Sequence, residues 1–588
     1  MKNNVRRPAK TRNRRAVLLR LGKYFFRYKF TSLIIVILML ASNLLALLGP
    51  MLSGAAINAI DLETGVDFET VIKYCILMAI FYAGSSLLSY ILSVMMIRLS
   101  QKIIRRMRQD VFDKLMTLPV GYFDRLQAGD IINRISYDID TVNASLSNDI
   151  LQAATGIITV VGSFIGMLLI SPTLLAVFVI TVPVSIWITI TRSRSVRPLF
   201  RKRSAGLAAL NGFSEEMLSG LKTIRAYGRE PQIRDKFGEK NRQAVDAYYA
   251  ADYYGSLIGP AVNFVNNLGM VLISTVGSLL YLFGRIRIGD VSSFLLYSRR
   301  FSGPINEFAN IMGEIQSALA AAERVFGVLD AAPEALDAPE ASELTDVKGN
   351  VAFDHVTFGY DPDAPVIHDL SFTADSGKTI AIVGPTGAGK TTLVNLLMRF
   401  YDPQSGEITI DGKEIRTVTR KSLRAAFSMV LQDTWLFEGT VFENIAYGKE
   451  DASIDEVRSA AEKAHISDYI ESLPDGYDTR ITDGGVNLSK GQKQLMTIAR
   501  AMLSPAKMLI LDEATSNVDT RTELVIRDAM LRLMSGKTCF VIAHRLSTIR
   551  NADLILVVRD GDIVERGRHD ELLERGGFYS EIYRAQFE

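Results

Sequence analysis

Gly384-Pro385-Thr386-Gly387-Ala388-Gly389-Lys390-Thr391 has the Gly-x-x-x-x-Gly-Lys-Thr spacing of a phosphate-binding loop. Thr379-Ile380-Ala381-Ile382-Val383 before it reads as a strand, and the residues from Lys390 onward as a helix. That strand–loop–helix setting makes a common motif specific, because small residues let backbone N–H groups converge on phosphate. Lys390 is placed for the β- and γ-phosphates and Thr391 for Mg²⁺. Met508 to Leu511 is a second buried strand, with Asp512 and Glu513 at its end. Asp512 there suits Mg²⁺, directly or through water, and Glu513 suits a general base that polarises the attacking water.

The phosphate loop comes after a chain half of a different character. The 588 residues exceed what one compact domain usually holds, and a mean hydropathy of +0.17 averages over two regimes. Up to Gly284 the apolar runs are long and mostly uncharged; beyond Glu340 the pattern is that of a soluble α/β domain. A formal charge of +2, from 66 basic and 64 acidic residues, gives no reason to expect a nucleic-acid partner. The two cysteines, Cys75 and Cys539, imply no disulfide framework. The basic amino terminus (Lys2, Arg6, Arg7, Lys10, Arg12, Arg14, Arg15) reads either as a solvated tail or as a segment drawn to anionic lipid on the cytosolic side.

Val17 to Phe30 mixes apolar and basic residues as an interfacial helix does. Apolar runs then cover Thr31–Ile57, Val71–Ile97, Leu151–Ser171 and Pro172–Ile190; a fifth ends near Phe283 and a sixth begins near Val291. The first is long enough to be a retained span, and no cleavable signal peptide is evident. Basic runs at Arg98–Arg108 and Arg192–Arg203 are too costly in hydrocarbon and must leave the bilayer. Six spans put these runs and both termini on one side, which the positive-inside rule makes cytosolic. The last two spans are the least apolar. Asn263, Asn266 and Asn267 interrupt one, and Arg299, Arg300, Asn306 and Glu307 the other. Such groups face the protein interior or an aqueous cavity, or else mark a water-exposed helix end. The expected organisation is residues 1–30, a basic tail and interfacial helix; 31–329, a six-helix membrane domain; 330–346, a linker rich in Ala, Pro and acids; and 347–588, an α/β phosphate-loop cassette domain.

Leu488-Ser489-Lys490-Gly491-Gln492 adds a second motif. Together with the phosphate loop and the Asp512-Glu513 strand end, it makes the chain resemble, over nearly its whole length, the exporter class of ATP-binding-cassette transporters. The resemblance implies ATP and Mg²⁺ as cofactors. Gly384, Thr386, Gly387, Gly389, Lys390, Thr391 and Thr392 would hold phosphate, and Tyr360 matches the aromatic residue that stacks on adenine. Thr391, Gln432 and Asp512 would serve the metal, and Glu513, Gln432 and His544 the attack of water. Ser489, Gly491 and Gln492 would close over the γ-phosphate of a partner chain; the family most often has glycine where this chain has Lys490. Ser516-Asn517-Val518-Asp519 matches the dimer-contact loop. Asp483-Gly484-Gly485 stands where exporters commonly carry a glutamate-containing loop. Tyr122-Phe123-Asp124 through Asp130 to Arg134, and Glu216 through Glu230, resemble the two cytosolic coupling regions.

One such chain resembles a half-transporter of the cytoplasmic membrane, multi-pass, with its cassette in the cytosol. A second half-transporter is implied as partner. The altered Lys490 beside an intact Glu513 and His544 favours a heterodimer over a homodimer. The expected cargo is a hydrophobic or amphiphilic small molecule of the multidrug kind, with lipid or peptide export next. A nucleotide-gated channel is the reading from another class, and the hydrolytic residues argue against it. His355, His368, His465 and His569 read as surface or packing residues.

Overall fold

A computed structural model of the chain describes residues 14–61, 65–432, 434–482, 488–512, 519–543 and 546–587. It divides into two compact units, Met1–Thr117 with Gln127–Ala331, and Leu118–Leu126 with Ala332–Glu588.

The first unit is helical. Its main helices are α1 (Arg14–Phe26), α2 (Lys29–Asn58), α3 (Phe68–Leu115), α4 (Ile150–Ile170), α5 (Pro172–Ser219), α6 (Glu230–Ser256), α7 (Ile258–Leu282) and α8 (Ile288–Leu329). Two π-helical turns, Arg134–Asp138 and Ser145–Asp149, lie in the helical run that leads into α4. Among the described residues, five helical runs are long and apolar enough to cross a membrane: Lys29–Asn58, Phe68–Leu115, Ala128–Ile170, Pro172–Ser219 and Glu230–Leu282. The sixth expected span lies in α8, where Arg299, Arg300 and Glu307 lower the hydropathy.

The helices outrun the apolar stretches read from the sequence. At 48 residues, α3 and α5 are each about 72 Å long, more than twice the hydrocarbon thickness. The basic runs Arg98–Arg108 and Arg192–Arg203 therefore leave the bilayer as unbroken helix, because lysine and arginine are good helix formers. Ser171 makes the tight turn expected between two spans: its side chain accepts from Leu174 N, and Pro172 stands next at the first helical position.

Close backbone approach and polar satisfaction hold α8 against α2. A Cβ on Gly289 would lie 2.0 Å from the Gly54 carbonyl, so only glycine fits there. Gly289 N donates to Asn58 Oδ1 at 2.8 Å, Ser293 Oγ to the Pro50 carbonyl at 2.8 Å, and Tyr297 Oη to the Leu47 carbonyl at 2.6 Å. Pro50, inside α2, has no N–H for the carbonyl of Ala46 one turn back. The Arg300 guanidinium donates to that carbonyl at 2.5 Å and to Tyr82 Oη at 3.3 Å. Of the charges read as facing either the protein interior or water, Arg300 turns inward, while Arg299 is exposed.

The second unit is α/β. A six-stranded sheet runs through β3 (Thr379–Val383), β5 (Phe427–Val430), β6 (Met508–Asp512), β7 (Thr538–Ile542), β8 (Leu554–Arg559) and β9 (Asp562–Gly567), in the order β9-β8-β3-β7-β6-β5. All pairs are parallel except β8 with β9. A four-stranded antiparallel sheet joins β1 (Val351–Phe358), β2 (Ile367–Ala374), β4 (Ser405–Ile410) and the short strand Lys413–Glu414. The parallel strands are apolar on both faces. Ala381, Val383, Leu509, Leu511 and Val541 belong to one core, and Ile380, Ile382, Ile510, Phe540 and Ile542 to the other.

The stretch read as a linker is fastened to this unit from Ala332 onward. Arg420 donates to Asp337 Oδ1 and to the Ala335 carbonyl at 2.8 Å each, and Arg424 to Glu334 Oε1 at 2.6 Å. Ser342 N donates to the Thr417 carbonyl, and Thr419 N to the Ser342 carbonyl, at 3.0 Å each.

The Pro50–Arg300 relation gives a double-mutant cycle. Arg300→Met leaves the Ala46 carbonyl without its donor, at a cost of about 1–3 kcal/mol, read as a lower melting temperature in lipid nanodiscs. Pro50→Ala restores the helical N–H, so the same Arg300→Met change in that background is expected to lower the melting temperature less. Equal losses in both backgrounds would contradict the assignment.

Candidate functional site

The register of the parallel sheet sets the site. Asp512 pairs with Ile542, Ile542 with Ile382, and Leu511 with Val430. Strands β3, β5, β6 and β7 therefore end along one edge, and the chain leaves each of them there. After β3 comes the Gly384–Gly389 loop, after β5 Gln432, and Asp512 closes β6. The carboxyl edge of such a sheet is where open α/β folds bind ligands.

The loop turns into α9 (Lys390–Leu397) through Gly389, at φ +104°, a backbone state that side chains rarely adopt. Gly384 answers a different need: a Cβ there would lie 2.1 Å from the Val558 carbonyl. Lys390 is buried, and its Nζ donates to the Gly384 carbonyl at 2.7 Å and the Pro385 carbonyl at 2.9 Å. The ammonium thus curls into the loop, where an incoming phosphate can replace two carbonyls. Burial lowers the amine below the ordinary lysine value, and the negative charge of Asp512 works the other way. Thr391 is exposed at the loop mouth and Asp512 is half-buried, two hard oxygen donors of the kind Mg²⁺ takes.

Tyr360 leans on the first turn of α9. Its hydroxyl lies 3.2 Å from Thr392 Oγ1 and accepts from Asn395 Nδ2 at 3.1 Å, and the residue as a whole is 41% exposed. A half-exposed ring beside the phosphate loop is suited to stacking on a base. Gln432 is exposed beyond β5. Ser489 and Gln492 cap α10 (Lys490–Leu503) reciprocally. Ser489 Oγ accepts from Gln492 N at 3.2 Å, and Gln492 Oε1 accepts from Ser489 N at 2.8 Å. Gly491 is buried in the first turn, and Lys490 stands exposed beside it. Glu513 and His544 lie outside the described residues, as do Asp483-Gly484-Gly485 and Ser516-Asn517-Val518. Of the other histidines, His569 is buried with Nδ1 2.6 Å from Tyr579 Oη, while His355 and His465 pair with Asp369 and Asp528 at 2.6 Å each.

Two features escaped the sequence reading. Arg500, on α10, donates to the Trp435 carbonyl at 3.0 Å, the Asn444 carbonyl at 2.7 Å and Asn444 Oδ1 at 3.1 Å. Asn444 in turn holds Phe437 and Thr440 through three further bonds of 2.8–3.0 Å. The segment after Gln432 is thereby tied to the helix that carries Ser489 and Gln492. The second feature is Tyr401, whose hydroxyl donates to Asp124 at 2.5 Å while its ring fills the space a Cβ on Gly121 would need. Burial, with the Asp124 carboxylate, raises that phenol above its ordinary value and keeps it a donor.

Arg500 is a positioning residue and predicts a kinetic split. Arg500→Met releases the Trp435–Asn444 segment behind Gln432 and is expected to lower kcat for nucleotide hydrolysis by about tenfold or more, with KM within about twofold. A proportionate rise in KM at unchanged kcat would contradict it.

Comparison with known proteins agrees with this architecture. The ABC transporter transmembrane region matches residues 32–305, and the ABC transporter family matches residues 367–516. The chain is 46% identical over 521 residues to the fatty acid ABC transporter ATP-binding/permease protein of Mycobacterium bovis, covering 89% of this chain and 82% of that one. It is 35% identical over 590 residues to the ATP-dependent lipid A-core flippase of Methylobacillus flagellatus, covering 98% of each. The solved structure of a bacterial Atm1-family ABC exporter with ATP bound superposes with a TM-score of 0.76 at 31% identity, over 95% of this chain and 98% of that one. The chain belongs to the ABC transporter family, as an exporter with a multi-pass membrane region joined to a cytosolic ATPase cassette that drives transport.

Proposed function

We propose that the chain acts as one half of a dimeric pump that uses ATP to move an amphiphilic, lipid-like small molecule out across the cytoplasmic membrane. The observation that carries this reading is a cavity of about 580 Å³ in the helical unit. Ile157, Val160, Val161, Phe308 and Ile311 contribute its apolar lining, and Asn43, Gln152 and Thr159 are among its few polar groups. An open, apolar-walled cavity with a few fixed polar groups suits a molecule with a tail and a head. The relatives named for fatty acids and for lipid A-core point to the same chemical class. Hydrophobic drugs share that chemistry and fall within the reading.

In this account Lys390 and the loop amides hold the β- and γ-phosphates of ATP, and Tyr360 stacks on adenine. Mg²⁺, held by Thr391 and Asp512 with Gln432 beside them, would neutralise charge on the β- and γ-oxygens. Glu513 polarises the attacking water, and His544 contacts the γ-phosphate. Ser489, Gly491 and Gln492 offer backbone N–H groups at a helix start to the nucleotide of the opposite cassette. ATP then favours one membrane conformation and its hydrolysis the other.

Exporters of this type work as dimers. We place a different half-transporter opposite this chain, on the ground that Lys490 puts a cation and a long side chain where the family most often has glycine. In that pair this chain would supply Glu513 to the hydrolytic site, and its Ser489–Gln492 would serve the partner's nucleotide. The test is ATPase activity of the purified chain in lipid beside Glu513→Gln, with intact mass reporting the oligomer. Little hydrolysis from the chain alone is expected. Robust hydrolysis, lost in Glu513→Gln, from a particle of two identical chains would overturn the choice of partner.

A further inference from the structure

Among its described lining residues the 580 Å³ cavity carries one charge, and that charge bears on which head groups the cavity accepts. Glu307 is the only ionisable side chain among its described lining residues. It sits 19 residues beyond the start of α8, about 28 Å along the helix and so close to one full hydrocarbon thickness. Its Oε2 accepts from Gln152 Nε2 at 2.7 Å, a neutral partner that orients the carboxylate without cancelling it. Arg300, the nearest basic residue on the same helix, is two turns away with its guanidinium on the Ala46 carbonyl and Tyr82.

A neighbouring cavity of about 650 Å³ shares Asn43, Gln152 and Thr155 with the first, and adds Asp149 and Glu314. These two carboxyl groups lie within hydrogen-bonding reach of one another. The two cavities together hold three carboxyl groups and no basic side chain among their described lining residues. Among the described residues, the hydrogen-bond partner of Glu307 is the neutral amide of Gln152, and a carboxylate set in an apolar wall is best satisfied by an opposite charge.

We propose that Glu307 selects the head group: the cavity takes an amphiphile with an apolar chain and a cationic, ammonium-type head, in preference to a fatty-acid anion. An ammonium pairs with the Glu307 carboxylate, whereas a carboxylate head meets like charge there. Size and apolarity would admit both tails equally, so discrimination resides in the head. This inference rests on the amphiphile reading of the same cavity.

The test uses two photo-crosslinking probes that share one diazirine-bearing alkyl chain, one ending in trimethylammonium and one in carboxylate. The full-length protein is labelled in nanodiscs of zwitterionic lipid, and crosslinks are mapped by mass spectrometry to residues 152–161 and 304–311. The cationic probe is expected to label these segments at least about tenfold more than the anionic one, a difference of about 1.4 kcal/mol. Glu307→Gln should bring the ratio to within about twofold, with its melting temperature confirming a folded chain. Should that variant fail to fold, the wild-type ratio decides alone. Equal labelling by both probes in wild type would overturn the charge selection and leave the amphiphile reading standing. Labelling of these segments by neither probe would overturn both.

Discussion

In the cassette, the parallel strands are buried on both faces, and the site depends on that burial. A slip of one residue would turn Ile510 and Phe540 from one core into the other and bring Leu509 and Val541 the opposite way. Register is therefore held fast by packing on both sides. The pairings of Asp512 with Ile542 and of Ile542 with Ile382 are consequences of it. Only with those pairings do the phosphate loop, Gln432 and Asp512 leave the sheet at one edge. The chemistry of the loop is local, but its assembly with an acid more than a hundred residues later is a consequence of core packing.

The membrane unit answers to a different constraint. In hydrocarbon, apolar burial discriminates weakly between helix faces, so backbone approach and polar satisfaction fix the contacts. Gly54 and Gly289 bring α2 and α8 close enough for Asn58, Ser293, Tyr297 and Arg300 to reach across. Arg300 is kept at depth because Pro50 has left a carbonyl that needs a donor. Glu307, two turns further along α8, finds the neutral amide of Gln152 as its hydrogen-bond partner among the described residues. Two charges on one helix thus have opposite fates, one used in packing and one left for an occupant.

How much was legible in the sequence depends on how local each feature is. The phosphate loop and the strand ahead of it were readable, since their spacing is written in consecutive residues. Apolar runs located the spans but not the helix lengths, because hydropathy marks where a helix is greasy and says nothing of where it stops. Arg300 read as a charge of uncertain setting, since its reason lies in Pro50, on a different helix. Arg500 was invisible for the same cause: an arginine in an amphipathic helix has no mark that it locks Asn444, 56 residues earlier. The Ala-, Pro- and acid-rich stretch read as a linker carries Glu334 and Asp337, whose partners Arg424 and Arg420 come from the folded cassette and could not be paired with them from the sequence.

Vectorial movement of an amphiphile is the claim on which the functional account stands. The direct measurement is uptake of a fluorescent alkyl amphiphile into proteoliposomes with outward-facing cassettes, carrying this chain and its partner, with ATP and Mg²⁺ added outside. The account predicts accumulation against a gradient that requires hydrolysis and is lost when Lys390 is replaced by methionine in this chain and the corresponding lysine in its partner. Passive equilibration that proceeds equally without hydrolysis would contradict it and favour a nucleotide-gated channel.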